Sequence, residues 1–378
     1  MITNGFLQYF GKIINFAAII NATVLKYDPK VGSIEVREIL RRQKYILSFT
    51  VATHTVYGSY DLIQLLIAFR SQSQDFYGMM IMLVWGLVYF WAAIALWNLR
   101  TRGDDLARIF NQLVKFDQKM EKLTGQQDIY KLLEILTCVM SFVFLTGFIV
   151  WSIILYKIQE KDAFLFSLVP DPYKSNTLLF FFTLFEAWSK TLAIFNAIWD
   201  QFFLMVTLLI HSCWLRYRIT SPNISRSRTP DSDYTYFHIL SKYINASQIP
   251  VKTSFLLAIM FLFMWSGYLG LIRLPGRIDL DEYLLFPVLV LNCHIISLLI
   301  FLPGAYLYNL AKKFRLQVKS LMMLETDKEG KVRRRVAKSL QLFGLQLTED
   351  NFVQGSHLLS YYLSLSTYVL SGLVAFQF

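Results

Sequence analysis

The sequence predicts an all-α polytopic membrane protein with seven transmembrane helices, a cytosolic N-terminus, an extracellular C-terminus and a helical cytosolic anchor bundle. Three observations carry this prediction. The 378 residues are 55% hydrophobic, with a mean hydropathy of +0.43, too apolar for a soluble domain of this length. Seven apolar segments stand along the chain, all but one of a length suited to a single crossing. The basic residues between them fall mostly on one set of intervening segments.

Residues 1–44 read as a cytosolic N-terminal segment. Its apolar stretch from Phe6 to Leu25 is interrupted by Lys12, Asn15 and Asn21, which suits an amphipathic helix lying at the inner face. A signal peptide would call for a more basic start and a small-x-small cleavage site. The following Lys26–Lys44 is basic and loop-like, broken by Pro29 and Gly32.

The first six spans are Tyr45–Phe69, Tyr77–Leu99, Leu132–Tyr156, Thr177–Leu215, Thr253–Ile272 and Tyr283–Leu310. After the second, Leu106, Ile109, Phe110, Leu113 and Phe116 recur at helical spacing until Gly125, so Arg100–Lys131 reads as a helical hairpin. The fourth span runs without Gly or Pro for roughly 58 Å, nearly twice the hydrocarbon thickness, and is expected to continue below the inner face. Within it Glu186 and Lys190 stand four residues apart and can neutralise each other, while Asp200 falls near the inner interface. Ser221–Asp233 reads as a linker, and Thr235–Ser247 resumes an amphipathic pattern. Residues 311–354 supply the cytosolic anchor: Ala311–Leu324 continues the sixth helix, and SLQLFGLQL adds a further apolar piece.

Orientation follows from charge. With a cytosolic N-terminus the inner segments hold 30 of the 37 Lys and Arg residues, and the outer segments hold six. The net charge of +11 is thereby explained by topology and anionic lipid, with no nucleic-acid partner. The sequons at Asn21, Asn223 and Asn245 all lie on the inner side. This orientation is opposite to that of a G-protein-coupled receptor.

The last stretch, 355–378, holds no charged residue. Ser356, Ser360, Ser364, Thr367 and Ser371 share one side of a helix, opposite Tyr362, Val369, Leu373 and Phe376. Such a stripe is either a close-packing seam or a pore wall. Glu349 and Asp350 precede it, where acidic residues at a pore mouth concentrate cations.

SLQLFGLQLTEDNF, followed by an apolar helix with Thr367-Tyr368 and a terminal Gln377-Phe378, resembles the insect gustatory and odorant receptor superfamily. The signature of that superfamily is Thr-Tyr, five apolar residues, then Gln-Phe. Here eight residues separate Tyr368 from Gln377; counted back from Gln377, Ser371 stands where tyrosine is expected. The resemblance implies a chemosensory, ligand-gated non-selective cation channel in the plasma membrane. It also implies a homotetramer or a heteromer with related subunits, joined mainly through the anchor.

Ser360, Ser364, Thr367 and Ser371 would then line the pore, with Gln377 nearer its outer end and Glu349 and Asp350 at its cytosolic mouth. A pocket for a small-molecule tastant or odorant is expected in the outer halves of spans one to six, around Tyr60, Trp85, Trp151, Glu186, Trp188 and Trp265. The same aromatics also suit an interfacial belt.

No HExxH, GxSxG, P-loop or GxGxxG motif occurs, and neither the five His nor the three Cys show ligand spacing. The reading is therefore of no enzyme, no cofactor and no metal site. A secondary transporter using Glu186, Lys190 and Asp200 for coupling is the alternative, and a G-protein-coupled receptor comes third.

Overall fold

The computed structural model describes residues 4–19, 23–36, 41–71, 76–124, 165–220, 230–247, 253–324, 328–347 and 351–375, with isolated positions between 135 and 146. The third expected span, Leu132–Tyr156, lies almost wholly outside them, as do Trp151, Glu349, Asp350, Gln377 and Phe378.

The chain is predominantly helical. Its main helices are α1 (Asn4–Ile19), α2 (Arg41–Arg70), α3 (Phe76–Thr124), α4 (Asn176–Thr220), α5 (Pro230–Ser247), α6 (Thr253–Arg273), α7 (Leu285–Leu324), α8 (Lys328–Ser339) and α9 (Gly355–Ala375). Among the described residues, five stretches are long and apolar enough to cross a membrane. They are Phe76–Gln118, Asn176–Asn196, Phe202–Thr220, Leu285–Met323 and Gly355–Ala375.

Three helices are far longer than a bilayer needs: α3 has 49 residues, α4 has 45 and α7 has 40. At 40 to 49 residues they run on the order of 60–75 Å. The first arm of the hairpin expected over Arg100–Lys131 is the end of α3, which continues to Thr124 across a kink at Arg102 (φ −126°, ψ 17°); the turn expected at Gly125 lies outside the described residues. The periodicity itself is real: Leu106, Ile109, Phe110 and Leu113 are all buried.

The C-terminal halves of α3, α4 and α7 assemble with α1, α5 and α8 into one apolar core, at what we call the basic end. Phe10 of α1 stacks on Phe110 of α3 at 5.1 Å and tilts against Phe202 of α4 at 5.5 Å. In α5, Tyr234, Phe237, Leu240 and Ile244 repeat at helical spacing and are buried. The ring of Phe237 meets Phe116, Phe314 and His211. The indole of Trp214 donates to the buried Asp117 carboxylate at 2.8 Å, tying α4 to the extension of α3.

The loop expected after α1 is instead a two-stranded antiparallel ribbon, β1 (Leu25–Asp28) and β2 (Ser33–Val36), with Leu25 opposite Val36. Gly32 supplies the positive φ of +66° that its turn requires. Each edge of the ribbon is satisfied by an asparagine. Tyr27 donates its N–H to Asn15 Oδ1 at 3.0 Å and accepts from Asn15 Nδ2 at 3.2 Å. Ile34 donates to Asn111 Oδ1 at 2.8 Å and accepts from Asn111 Nδ2 at 2.7 Å. An Asn amide thus replaces the missing strand on each side, and helix α1 is fastened to α3. Asn111→Ala removes both bonds and strands a backbone N–H and C=O, so a loss of about 2–3 kcal/mol is expected. Thermal unfolding of the purified protein checks this, and an unchanged midpoint would contradict it.

Residues 340–347 and 351–354 form a strap between α8 and α9. Val353 donates to Leu345 O at 2.8 Å and Leu347 to Asn351 O at 2.7 Å, and Gln346 and Phe352 form an antiparallel bridge. The strap is held to α5 by Ser241 Oγ and Asn245 Nδ2, which both donate to Gly344 O, and by Gln346 N, which donates to Asn245 Oδ1. The side chain of Asn245, one of the three sequon asparagines, is therefore committed to the fold.

Candidate functional site

Two arrangements stand out: the terminal helix with its lock, and a buried polar cluster at the opposite end from the basic core.

Helix α9 makes contact with its own chain through one narrow face. Leu365 and Gly372 are buried, and Leu358, Tyr361, Tyr362 and Val369 are partly covered by α6 and α7. Gly372 permits this approach, because a β-carbon there would sit 3.0 Å from Trp265 Nε1 and 3.1 Å from Leu269. Side chains fasten the seam along its length. Tyr361 OH donates to Leu257 O at 3.0 Å, Trp265 Nε1 donates to Tyr368 O at 3.0 Å, and Arg273 Nη2 donates to Leu373 O. These partners pair low, middle and high residues of both helices, so α6 and α9 run parallel.

A fourth link crosses to α7. The imidazole of His294 is bracketed by Tyr268 OH at 2.7 Å and Tyr362 OH at 3.1 Å, and stacks on the Tyr362 ring at 5.3 Å. Neutral imidazole donates through one nitrogen and accepts through the other, so α6, α7 and α9 are joined by one relay. Spacing in the sequence gives no sign of it, because its three members come from three helices.

The hydroxyl stripe faces the other way. Ser356, Ser360, Ser364, Thr367 and Ser371 are all exposed among the described residues. The described helices α6 and α7 pack against the other face, not against this stripe. Thr367 and Ser371 donate their hydroxyl protons to the carbonyls of Leu363 and Thr367, each at 3.0 Å. Donation to the residue four back leaves oxygen lone pairs directed outward, an acceptor surface suited to cations. Leu359, Leu363, Leu370 and Val374 are exposed beside the stripe.

The polar cluster lies between α2, α3 and the first half of α4. Glu186 and Lys190, one turn apart, form a buried ion pair at 3% and 0% exposure. Glu186 also accepts the backbone N–H of Leu165 at 3.0 Å, which fastens the preceding loop to α4. The Lys190 ammonium is surrounded by aromatic faces, 5.3 Å from Trp85, 5.7 Å from Tyr57 and 6.0 Å from Tyr89. These rings pack on one another, Tyr57 on Tyr89 at 4.9 Å and Trp85 on Tyr89 at 5.7 Å. Asp61, 1% exposed, adds a second carboxylate with no hydrogen-bond partner among the described residues. The cluster therefore holds two carboxylates, one ammonium and three aromatic rings in a dry setting.

Of the residues expected around a ligand, the structure brings Trp85 and Glu186 together here. Tyr60 is half-buried on the same helix as Asp61. Trp188 lies apart: it is 38% exposed and stacks on Phe49 at 6.4 Å. Trp265 serves the α9 seam instead. Asp61 and Tyr89 were not anticipated; an acid inside the apolar span Tyr45–Phe69 was the available signal for the first.

No family model matches the chain, and no curated protein sequence does. Solved structures do. The insect olfactory receptor OR5 from Machilis hrabei in complex with eugenol aligns over 98% of this chain and 99% of its own, at 12% identity and a TM-score of 0.74. The same receptor described without that ligand aligns over equal shares at 13% identity, with a TM-score of 0.64. From end to end, then, this chain has the fold of an insect olfactory receptor.

Proposed function

We propose that the protein is a gustatory-type member of the insect gustatory and odorant receptor superfamily, acting as a ligand-gated non-selective cation channel of the plasma membrane. The observation that carries this reading is the terminal helix. Its hydroxyl stripe is exposed among the described residues while another face is locked to α6 and α7. A polar face left open inside a membrane calls for water or for another copy. Four copies around an axis, or a mixture with related subunits, supply both.

In this reading seven helices span the membrane with the N-terminus inside, and the basic end is the cytosolic anchor through which subunits meet. Residues 355–378 line the pore with Ser360, Ser364, Thr367 and Ser371, and residues 45–310 hold the ligand site. The solved receptor of like fold is in complex with eugenol, which supports a small organic molecule as the ligand class. The aromatic cluster around Glu186 and Lys190 is where such a ligand is recognised, and the His294 relay carries the consequence to α9.

Expression in cells, with currents recorded while small organic ligands are applied, tests the proposal. A ligand-evoked, cation-carried current is expected. Saturable uptake of a substrate with no conductance would overturn it in favour of a transporter coupled through Glu186 and Lys190.

A further inference from the structure

A cavity of about 440 Å³ opens at the basic end between α5, α7 and the strap. Its polar walls are His238, Lys242 and Asn245 from α5, Arg315 from α7, and Gln341 and Gln346 from the strap. No Asp or Glu is among its lining residues. Lys242 and Arg315 form no ion pair with any described residue, and the buried Arg315 Nε has no hydrogen-bond partner among them. Burial, and then the charge of Lys242, hold the His238 imidazole below its ordinary value.

The donor set is informative about the missing charge. Guanidinium presents a planar fork, Lys a mobile point charge, and the Gln341 amide neutral N–H groups, and these residues line one space from three elements. A carboxylate, with two oxygens, would use part of this set. A phosphate offers three oxygens and up to two charges, and matches it better. The volume is that of a site for a small organic ligand and exceeds what a lone inorganic ion fills.

We propose that this cavity binds a phosphate-bearing ligand of headgroup size, either free or as the headgroup of a lipid. Its position gives it leverage. An occupant bridging Lys242 and Arg315 to Gln341 and Gln346 fastens the strap to α5 and α7, and the strap leads directly into α9. Binding does not depend on the channel reading; only its consequence for gating does.

The test uses the full-length protein, purified in detergent and in nanodiscs, with inositol trisphosphate and phosphatidylinositol bisphosphate as the probes. Calorimetry should show saturable binding of inositol trisphosphate that weakens as salt rises. The variant Lys242→Gln/Arg315→Gln should lose at least about tenfold in affinity. Lys242→Gln alone, at an exposed side chain, gives a smaller loss and guards against misfolding of the double variant. If stabilisation appears only in nanodiscs containing phosphatidylinositol bisphosphate, and is lost in the variants, the source is lipid. No saturable binding of either probe overturns the proposal. So does binding that both variants leave unchanged.

Discussion

Lys190→Met is expected to cost on the order of 3–5 kcal/mol, enough to remove most folded protein from the membrane. The side chain is wholly buried, and its ammonium is the one positive charge set against Glu186 in the cluster. Methionine keeps the volume and removes the charge. Glu186 is then left with the Leu165 N–H, in the same dry space as the unpaired Asp61. The three rings also lose the cation they enclose. Adding Glu186→Leu should restore much of the loss, because two well-packed apolar residues can replace a buried pair at little cost. Yield and thermal midpoint by fluorescence-detected gel filtration measure both. A double variant as unstable as the single one would show that packing, and not charge compensation, is what Lys190 supplies.

Ser364→Lys is expected to reduce cation current at least about tenfold while leaving expression and folding unchanged. Residue 364 sits in the middle of the stripe and is exposed among the described residues, so the substitution fills no space they occupy. In a tetramer it places four ammonium groups around a narrow path. At about 10 Å from the axis in a partly desolvated pore, each repels a cation by more than thermal energy, and the four add. Ser364→Glu, of similar bulk and opposite charge, should retain or raise the current. Wild-type currents through Ser364→Lys would mean that this face of α9 does not see the permeating ions.

How legible the molecule was in its sequence depended on how local each feature is. Long apolar runs and the stripe of α9 are set by residues close in sequence, and they were readable. So was the Glu186–Lys190 pair, since four residues on a helix place two side chains on one face. The Leu106–Phe116 periodicity revealed a helix and its buried face, because residues three and four apart share one side of it. The ribbon at Leu25–Val36 was missed for a different reason. Four-residue strands give two alternations at most, and what holds these strands is Asn15 and Asn111, the latter 77 residues from Ile34. The candidate ligand cluster was half legible. Trp85 and Glu186 could be nominated by type, whereas the convergence of Asp61, Tyr89 and Lys190 on them is a tertiary fact. The same holds for His294, which looks like an ordinary core histidine until Tyr268 and Tyr362 appear on either side.

The central claim is that the hydroxyl face of α9 borders an aqueous, ion-conducting path. It is tested most directly by placing single cysteines at Ser360, Ser364, Thr367 and Ser371, and for comparison at Tyr362 and Val369. A charged, water-soluble thiol reagent is then applied while ligand-evoked current is recorded against the unsubstituted protein. The account predicts irreversible block at the four stripe positions, recurring at intervals of three and four residues, and none at Tyr362 or Val369. Modification that follows the Tyr362 face and spares the stripe would contradict it, and would place the pore elsewhere.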